Sequence, residues 1–509
     1  MASLKTIITL LVLCVPLIQA AATADWRSRS IYQVVTDRFA RTDNSVTAPC
    51  DTGAGLYCGG SFQGIINRLD YIQNLGFSAI WISPVTYQIP EITADLSAYH
   101  GYWQQDMYRV NPFFGTVADL LSLSNALHSR NMYLMFDVVA NHLAYAGNGN
   151  TVPDWTRFNP FNDPKYFHPF KLLSSDPYNA TCAQVCWLGD LTVSLPDLKS
   201  EDPIVASMLN TWITELVSNY SVDGLRIDSI FNMNPNFFPG FNQAAGVFCL
   251  GEGSTNLASS LCPLSTELDG LINYPMYYSI TNAFKSTSAN ISTLVDGMNS
   301  VQSQCRDVTA MGLFSENHDL PRFASNNGDI ALARNVLAFD LLGDGIPVIY
   351  YGAEQHLSGA YNPANREALW LTGYSMTSTS LPSLVQSLNR LRAHAVNMST
   401  PGCDYLTSIS VPIYTGTNTL ALLKGFDGNQ VVTVLTNLGS NPGSSPDEQI
   451  TLGGAKTNFT AQEALTEVLS CTSVVTDGSG NLQVTLNDGG PKVYYPSAGL
   501  AGSNLCGYS

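Results

Sequence analysis

The sequence predicts an α/β fold built around a parallel barrel, with a small inserted subdomain and an all-β module at its end. Three observations carry this expectation. Apolar runs alternate with helical patterns early in the chain, which implies parallel pairing through right-handed crossovers. Several runs finish in a carboxylate, as in a barrel whose functional residues crowd its C-terminal rim. Beyond about residue 400, short strand-like runs follow one another between Gly, Asn and Ser turns.

In chain order, residues 31–37 read as a first strand. Ile65, Ile66, Leu69, Ile72 and Leu75 recur at helical spacing within 64–75. Residues 79–82 make a second strand, stopped by Ser83-Pro84. A helix over 119–130 and a strand over 133–139 continue the alternation.

The rhythm breaks after Asn141-His142. From there to about residue 198 the chain is rich in Asn, Pro, Gly and aromatics and carries Cys182 and Cys186. A structureless loop of that length is uncommon in a compact domain, so the segment is expected to be an inserted subdomain. Asp202-Pro203 then opens a helix to Tyr220, with proline in its first turn. Later βα units fit 268–272, 312–316 and 346–350, the last preceded by a helix over 330–342. The terminal module has strands at 413–414, 419–423, 430–435, 465–469 and 492–495.

The strand Asp223-Gly224-Leu225-Arg226-Ile227-Asp228 organises the rest. Its period-2 pattern sends Arg226 and Asp228 to one face and Leu225 and Ile227 to the other. Alone, an R-x-D strand reads as a structural ion pair, because buried charge is costly unless paired. Two further segments change that reading: Phe248-Cys249-Leu250-Gly251-Glu252, and the run from Met311 that ends in Glu316-Asn317-His318-Asp319.

The 509 residues are too many for one core and imply two or three domains. A net charge of −17 argues against nucleic acid or an anionic membrane as partner and favours an uncharged one. The N-terminus reads as a secretory signal over 1–20: Lys5 supplies the positive end, Ile7 to Ile18 the apolar core, and Gln19-Ala20-Ala21-Ala22 the small residues for cleavage. That core is too short to span a bilayer and the tail lacks the apolar stretch of a lipid anchor, so a soluble secreted protein is expected. Cleavage removes Cys14 and leaves ten of the eleven cysteines in an oxidising compartment. Sequons at Asn179, Asn219, Asn290, Asn397 and Asn458 are consistent with that route.

Taken together, Tyr99-His100-Gly101-Tyr102-Trp103-Gln104-Gln105-Asp106, Asp137-Val138-Val139-Ala140-Asn141-His142, Asp223 to Asp228, Gly251-Glu252 and Glu316 to Asp319 resemble the secreted fungal members of the α-amylase family of glycoside hydrolases. The likeness runs from Asp25-Trp26 to the final cysteine. It implies a (β/α)8 TIM barrel over 21–402, with an inserted subdomain after strand 3 at 142–198 and a C-terminal antiparallel β-sandwich at 403–509. It also implies retaining endo-cleavage of α-1,4-glucan by a monomer. By resemblance Asp228 is the nucleophile, Glu252 the acid/base and Asp319 the third acid, holding substrate hydroxyls. Retention needs one ionised and one protonated carboxyl, and Arg226, on the face of Asp228, favours the ionised form there. Tyr102, Trp103, His142, His318 and Arg366 match substrate-binding positions.

The resemblance further implies a structural calcium ion at Asn141, Gln184, Asp197 and the backbone carbonyl of Asn232. Gln184 stands where the family normally has an acid, which should weaken the site. Phe231-Asn232 replaces a usual Lys-His pair, and Asn362 stands where aspartate is common. A phenyl ring at 231 either offers a stacking face to an acceptor sugar or packs against the inserted subdomain. The rival activities are therefore a 4-α-glucanotransferase and, further off, a non-catalytic glucan-binding relative. Resemblance and short spacing pair Cys50–Cys58, Cys182–Cys186, Cys262–Cys305 and Cys471–Cys506, leaving Cys249 and Cys403 as thiols.

Overall fold

The protein is described from a computed structural model covering residues 23–152, 154–176, 179–377, 379–440 and 449–509. The signal peptide expected at 1–20 lies outside the described residues. Eight parallel strands form one sheet: β1 (Ile31–Val34), β2 (Ala79–Ile82), β3 (Tyr133–Val138), β4 (Gly224–Ile227), β5 (Phe248–Gly251), β6 (Gly270–Leu271), β7 (Gly312–Leu313) and β8 (Ile346–Tyr350). Pairing runs in chain order from β1 to β6, and β8 bonds to both β1 and β7. A bridge between Ile272 and Gly312 joins β6 to β7 and closes the barrel.

The period-2 alternation separates two layers. Leu225, Ile227, Leu134, Phe136 and Cys249 pack outward with the helices, in one cluster with Leu209, Trp212 and Ile213 of helix Pro203–Tyr220. Met135, Phe248, Leu250, Trp81 and Val348 fill the interior with Trp26. Burying such side chains contributes about 1.5–3 kcal/mol each, which fixes the register of strands whose two faces differ. Asp137 is level with Arg226 across β3 and β4, so two charged residues meet inside the barrel.

Local signals set the helix ends. Asp202 accepts from the Ile204 amide, with Pro203 in the first turn. Helix Val117–His128 starts at a capping box between Thr116 and Asp119.

The structure corrects several boundaries. The first strand stops at Val34, not at 37, because Thr36–Phe39 turns helical and buries Asp37 and Arg38 against each other at 2.9 Å. Asp37 also accepts from the amides of Cys58 and Gly59. The helix expected over 64–75 is two, Phe62–Asn67 and Leu69–Asn74, meeting at Arg68. The strands expected over 268–272 and 312–316 shrink to two residues each, β6 and β7.

Between β3 and helix Pro203–Tyr220, the described residues of the inserted segment form the short strands Tyr145–Ala146, Leu188–Gly189 and Val193–Leu195, four 3-10 turns and helix Ala180–Val185. Its aromatic core joins Trp155, Phe158, Phe167 and Trp187. Another hairpin, Thr86–Gln88 with Gln104–Val110, follows β2 and bonds to this segment, the Met107 amide donating to the Asn159 carbonyl at 2.9 Å.

After helix Leu381–Asn397 comes a six-stranded antiparallel sheet and a two-stranded pair, Gln449–Leu452 with Leu482–Thr485. Val432, Val434 and Leu465 of the first share a core with Ile450, Leu482 and Val484 of the second, as a sandwich requires. Lys424 of the sandwich pairs with Asp344 ahead of β8 at 2.7 Å, both nearly buried. All four expected disulfides are present; Cys249 is a buried thiol and Cys403 an exposed one.

Candidate active site

A cleft of about 480 Å³ opens at the C-terminal ends of the barrel strands. Asp228 follows β4 and Glu252 follows β5, and parallel pairing brings them to one level: Arg226 faces Leu250, and Ile227 faces Gly251. Asp319 comes from the loop after β7, and its side chain is 45% exposed. Sequence separation hides this convergence; the barrel produces it.

Arg226 is the centre of the charge network. Its Nη1 lies 2.6 Å from Asp228 Oδ1 and 2.8 Å from Asp137 Oδ1, and Nη2 is 3.6 Å from Glu252 Oε2. A guanidinium presents several donors in a fixed fork, which suits it to bridging carboxylates at the floor of a cleft. Burial pushes the Asp137 carboxyl up to about 7 even though Arg226 opposes it. Glu252 is also raised, first by burial and then by the charges of Asp228 and Asp319, with Arg226 acting against them. A buried carboxyl beside two others holds its proton longer than an ordinary one.

Two residues without a role in the sequence reading, Asp137 and Ser229, are part of this network. Asp137 Oδ2 accepts from Tyr102 at 2.7 Å and from the Trp81 indole at 3.0 Å, so one carboxylate orients Arg226 and a cleft-lining tyrosine. Period 2 already placed Asp137 on the inner face of β3, which is the signal that could have found it. Ser229 has a left-handed backbone (φ 55°, ψ 44°), a strain on the order of 1 kcal/mol for a residue other than glycine. That turn aims its amide at Glu252 Oε2, 3.1 Å away, and the next amide, of Ile230, at the Glu252 carbonyl, 3.0 Å away. Its hydroxyl donates to Asp228 Oδ2 at 2.6 Å.

The other expected substrate residues also reach the cleft. Tyr102, Trp103, His142, His318 and Arg366 line it. Tyr102 stacks on His318, with centroids 5.1 Å apart and planes 3° apart. His318 Nε2 is 3.1 Å from Asp319 Oδ2, and Gln33 Nε2 is 2.9 Å from its Nδ1. Burial, then Arg366 and Arg226, pushes His318 well below the ordinary imidazole range, which favours the neutral ring. Burial also lowers His142. Arg366 donates to the His318 carbonyl at 2.9 Å and approaches Asp319 at 3.3 Å. Asn362 lines the cleft as well. Phe231 is not among the cleft-lining residues. Its ring packs so tightly that a Cβ on Gly253 would come within 2.9 Å of it, beside Leu261.

Asn141 and Asp197 are fully buried, and Oδ1 of each has no hydrogen-bond partner. Their chains are adjacent: Leu198 N donates to the Asn141 carbonyl at 2.9 Å, and His142 bridges to Asp197. The Asn232 side chain donates to the carbonyl of Ala183 at 3.0 Å, so it meets the helix that carries half-buried Gln184. Buried oxygens without a donor are the kind of ligand a hard cation takes. Among the described residues no group of three His, Cys, Asp or Glu is placed to hold one.

Comparison with known proteins agrees with this arrangement. The family model for the α-amylase catalytic domain matches residues 33–390, and the one for α-amylase domain C matches residues 412–509. Alpha-amylase 2 of Schwanniomyces occidentalis is 46% identical over 489 residues, 96% of this chain and 94% of its own. An alpha-amylase of Saccharomycopsis fibuligera is 47% identical, covering 95% of this chain and 94% of its own. The solved structure of an alpha-amylase from Malbranchea cinnamomea superposes with a TM-score of 0.90 at 46% identity, covering 96% of this chain and all of that one. On both domains and on relatives aligned over nearly its whole length, the chain belongs to the α-amylase family of glycoside hydrolases.

Proposed function

We propose that this protein hydrolyses α-1,4-glucosidic bonds within starch-like glucans with retention, through a covalent glycosyl-enzyme on Asp228. The observation that carries this reading is that Asp228 and Glu252 both touch Arg226 and Ser229 at the cleft floor. Two carboxyls that share these partners lie side by side at the cleft floor, so one can serve as nucleophile while the other serves as acid and base, the two roles that retention needs.

In the first step an Asp228 oxygen bonds to the anomeric carbon, the glycosidic bond breaks, and Glu252 passes its proton to the departing oxygen. In the second, water attacks the same carbon, Glu252 takes its proton, and the ester bond breaks to return the Asp228 carboxylate. Asp319 and Arg366 bind hydroxyls of the distorted sugar, and Tyr102, Trp103, His142 and His318 position it. Asp137 keeps Arg226 and Tyr102 in register.

Calcium would be held by Asn141, Gln184, Asp197 and the Asn232 carbonyl, tying the inserted segment to the loop after β4. The ion would supply cohesion between these segments, not chemistry. The chain is read as a secreted monomer, with a signal peptide at 1–20, a catalytic region at 21–402 that includes the insertion at 142–198, and a sandwich domain at 403–509. Four disulfides support an oxidising destination, and no helix among the described residues is long and apolar enough to cross a membrane.

Incubation with maltopentaose tests the activity. Shortened products alone are expected; products that are elongated as well as shortened would make the protein a glucanotransferase, and unchanged substrate would make it a binding protein.

A further inference from the structure

Among the described residues, Ser229 is the neutral one that hydrogen-bonds to both reacting carboxyls. Its hydroxyl is 2.6 Å from Asp228 Oδ2 and its amide 3.1 Å from Glu252 Oε2. Arg226 occupies the other oxygen of Asp228. The nucleophile thus has a neutral donor on one oxygen and a cation on the other. The left-handed backbone at Ser229 is what lets hydroxyl and amide diverge toward the two acids. Amides 229 and 230 both end on residue 252, and the 229 carbonyl accepts from Asn232 N at 2.9 Å, so the turn is fixed on both sides.

A donor on a carboxylate acts unequally on the two chemical steps. It stabilises negative charge, so it weakens Asp228 as a nucleophile and improves it as a leaving group. In the first step the carboxylate's charge is spent in bond formation to the anomeric carbon. In the second, the ester bond breaks and its electron pair returns to Asp228, where the hydroxyl is already in place. That step also needs Glu252 as base, and the Ser229 amide holds its Oε2. We propose that Ser229 is a positioning residue that speeds breakdown of the glycosyl-enzyme, by its hydroxyl on Asp228 and its amide on Glu252. This rests on the assignment of Asp228 and Glu252 made above.

The test uses the full secreted chain with an α-maltosyl fluoride as substrate, steady-state kinetics, and intact-protein mass spectrometry of the quenched enzyme. Ser229→Ala removes the hydroxyl and keeps the amide. Deglycosylation should slow about tenfold, the size expected for losing one hydrogen bond to a charged group. Because kcat then reports the slow step, KM should fall at least as much as kcat, kcat/KM should hold or rise, and a maltosyl adduct should accumulate. Ser229→Gly, which relieves the left-handed strain and also lacks the hydroxyl, should match Ser229→Ala. The proposal is overturned if kcat and kcat/KM fall together without adduct, if Ser229→Ala behaves as wild type, or if glycine restores what alanine loses. Peptide mapping of wild type inactivated by a fluorinated maltosyl fluoride is the control. A label elsewhere than Asp228 would remove the assignment itself, independently of Ser229.

Discussion

Arg226 and Asp137 pair inside the barrel at 2.8 Å, with the arginine side chain 1% and the aspartate side chain 0% exposed. The same guanidinium nitrogen reaches Asp228 at 2.6 Å. One guanidinium nitrogen therefore serves two of the three carboxyls around Arg226. Breaking a buried pair typically costs about 3–5 kcal/mol, because the remaining charge is stranded. Asp137→Asn should lower thermal stability measurably and reduce kcat about a hundredfold, since Tyr102 and Arg226 both lose their anchor. A variant with unchanged kcat would show that Asp137 serves stability alone.

Asp228→Asn should abolish turnover, by about 10⁴-fold or more, with unchanged circular dichroism. An amide retains the shape of the site but cannot form the glycosyl ester. Substantial activity in the folded variant would remove the nucleophile from this position.

Glu252 must be protonated to act as acid, so activity falls as pH rises through its pKa. Burial and two neighbouring carboxylates raise that pKa, which places the alkaline limb of kcat/KM above the ordinary glutamate value of about 4.3. Asp319→Asn removes one of the charges that raise it and should move the limb to lower pH in whatever activity remains. A limb that does not move would detach Glu252 from it.

Calcium should raise the melting temperature, and chelation should lower it. Gln184→Glu adds a negative ligand at the helix beside Asn232 and should tighten calcium binding, read by titration calorimetry, about tenfold. Stability indifferent to calcium and to chelator would mean that Asn141 and Asp197 are merely unsatisfied.

Phe231→Lys should cost about 1–3 kcal/mol of stability, because a packed ring is replaced by a charge, and should leave the ratio of elongated to shortened products from maltopentaose unchanged. A shift in that ratio would restore the acceptor-stacking role for a ring that the structure packs against Gly253. The two thiols should separate as sharply: in the chain from residue 21 onward, native protein should alkylate at Cys403 only, and denatured protein at Cys249 as well. Modification of native Cys249 would contradict its place among the outward-packing residues of β5.

The sequence by itself determined the strand faces, the succession of βα units and the motif carboxylates. These are local properties: period 2 decides which way Arg226 points, and a capped, proline-led start decides where helix Pro203–Tyr220 begins. Strand lengths were less legible, as at Val34, because a buried ion pair between Asp37 and Arg38 overrides a β-prone run. Strands Gln449–Leu452 and Leu482–Thr485 escaped notice because each is short and its partner lies 30 or so residues away in sequence.

Only the tertiary structure decided that Asp137, Arg226, Asp228 and Glu252 form one network, that Ser229 joins its two reacting acids, and that Phe231 turns into the packing. A hydrogen bond across neighbouring strands depends on register and on backbone turns such as the left-handed one at Ser229. No window of sequence contains that information, since it arises where strands distant in the chain are laid side by side.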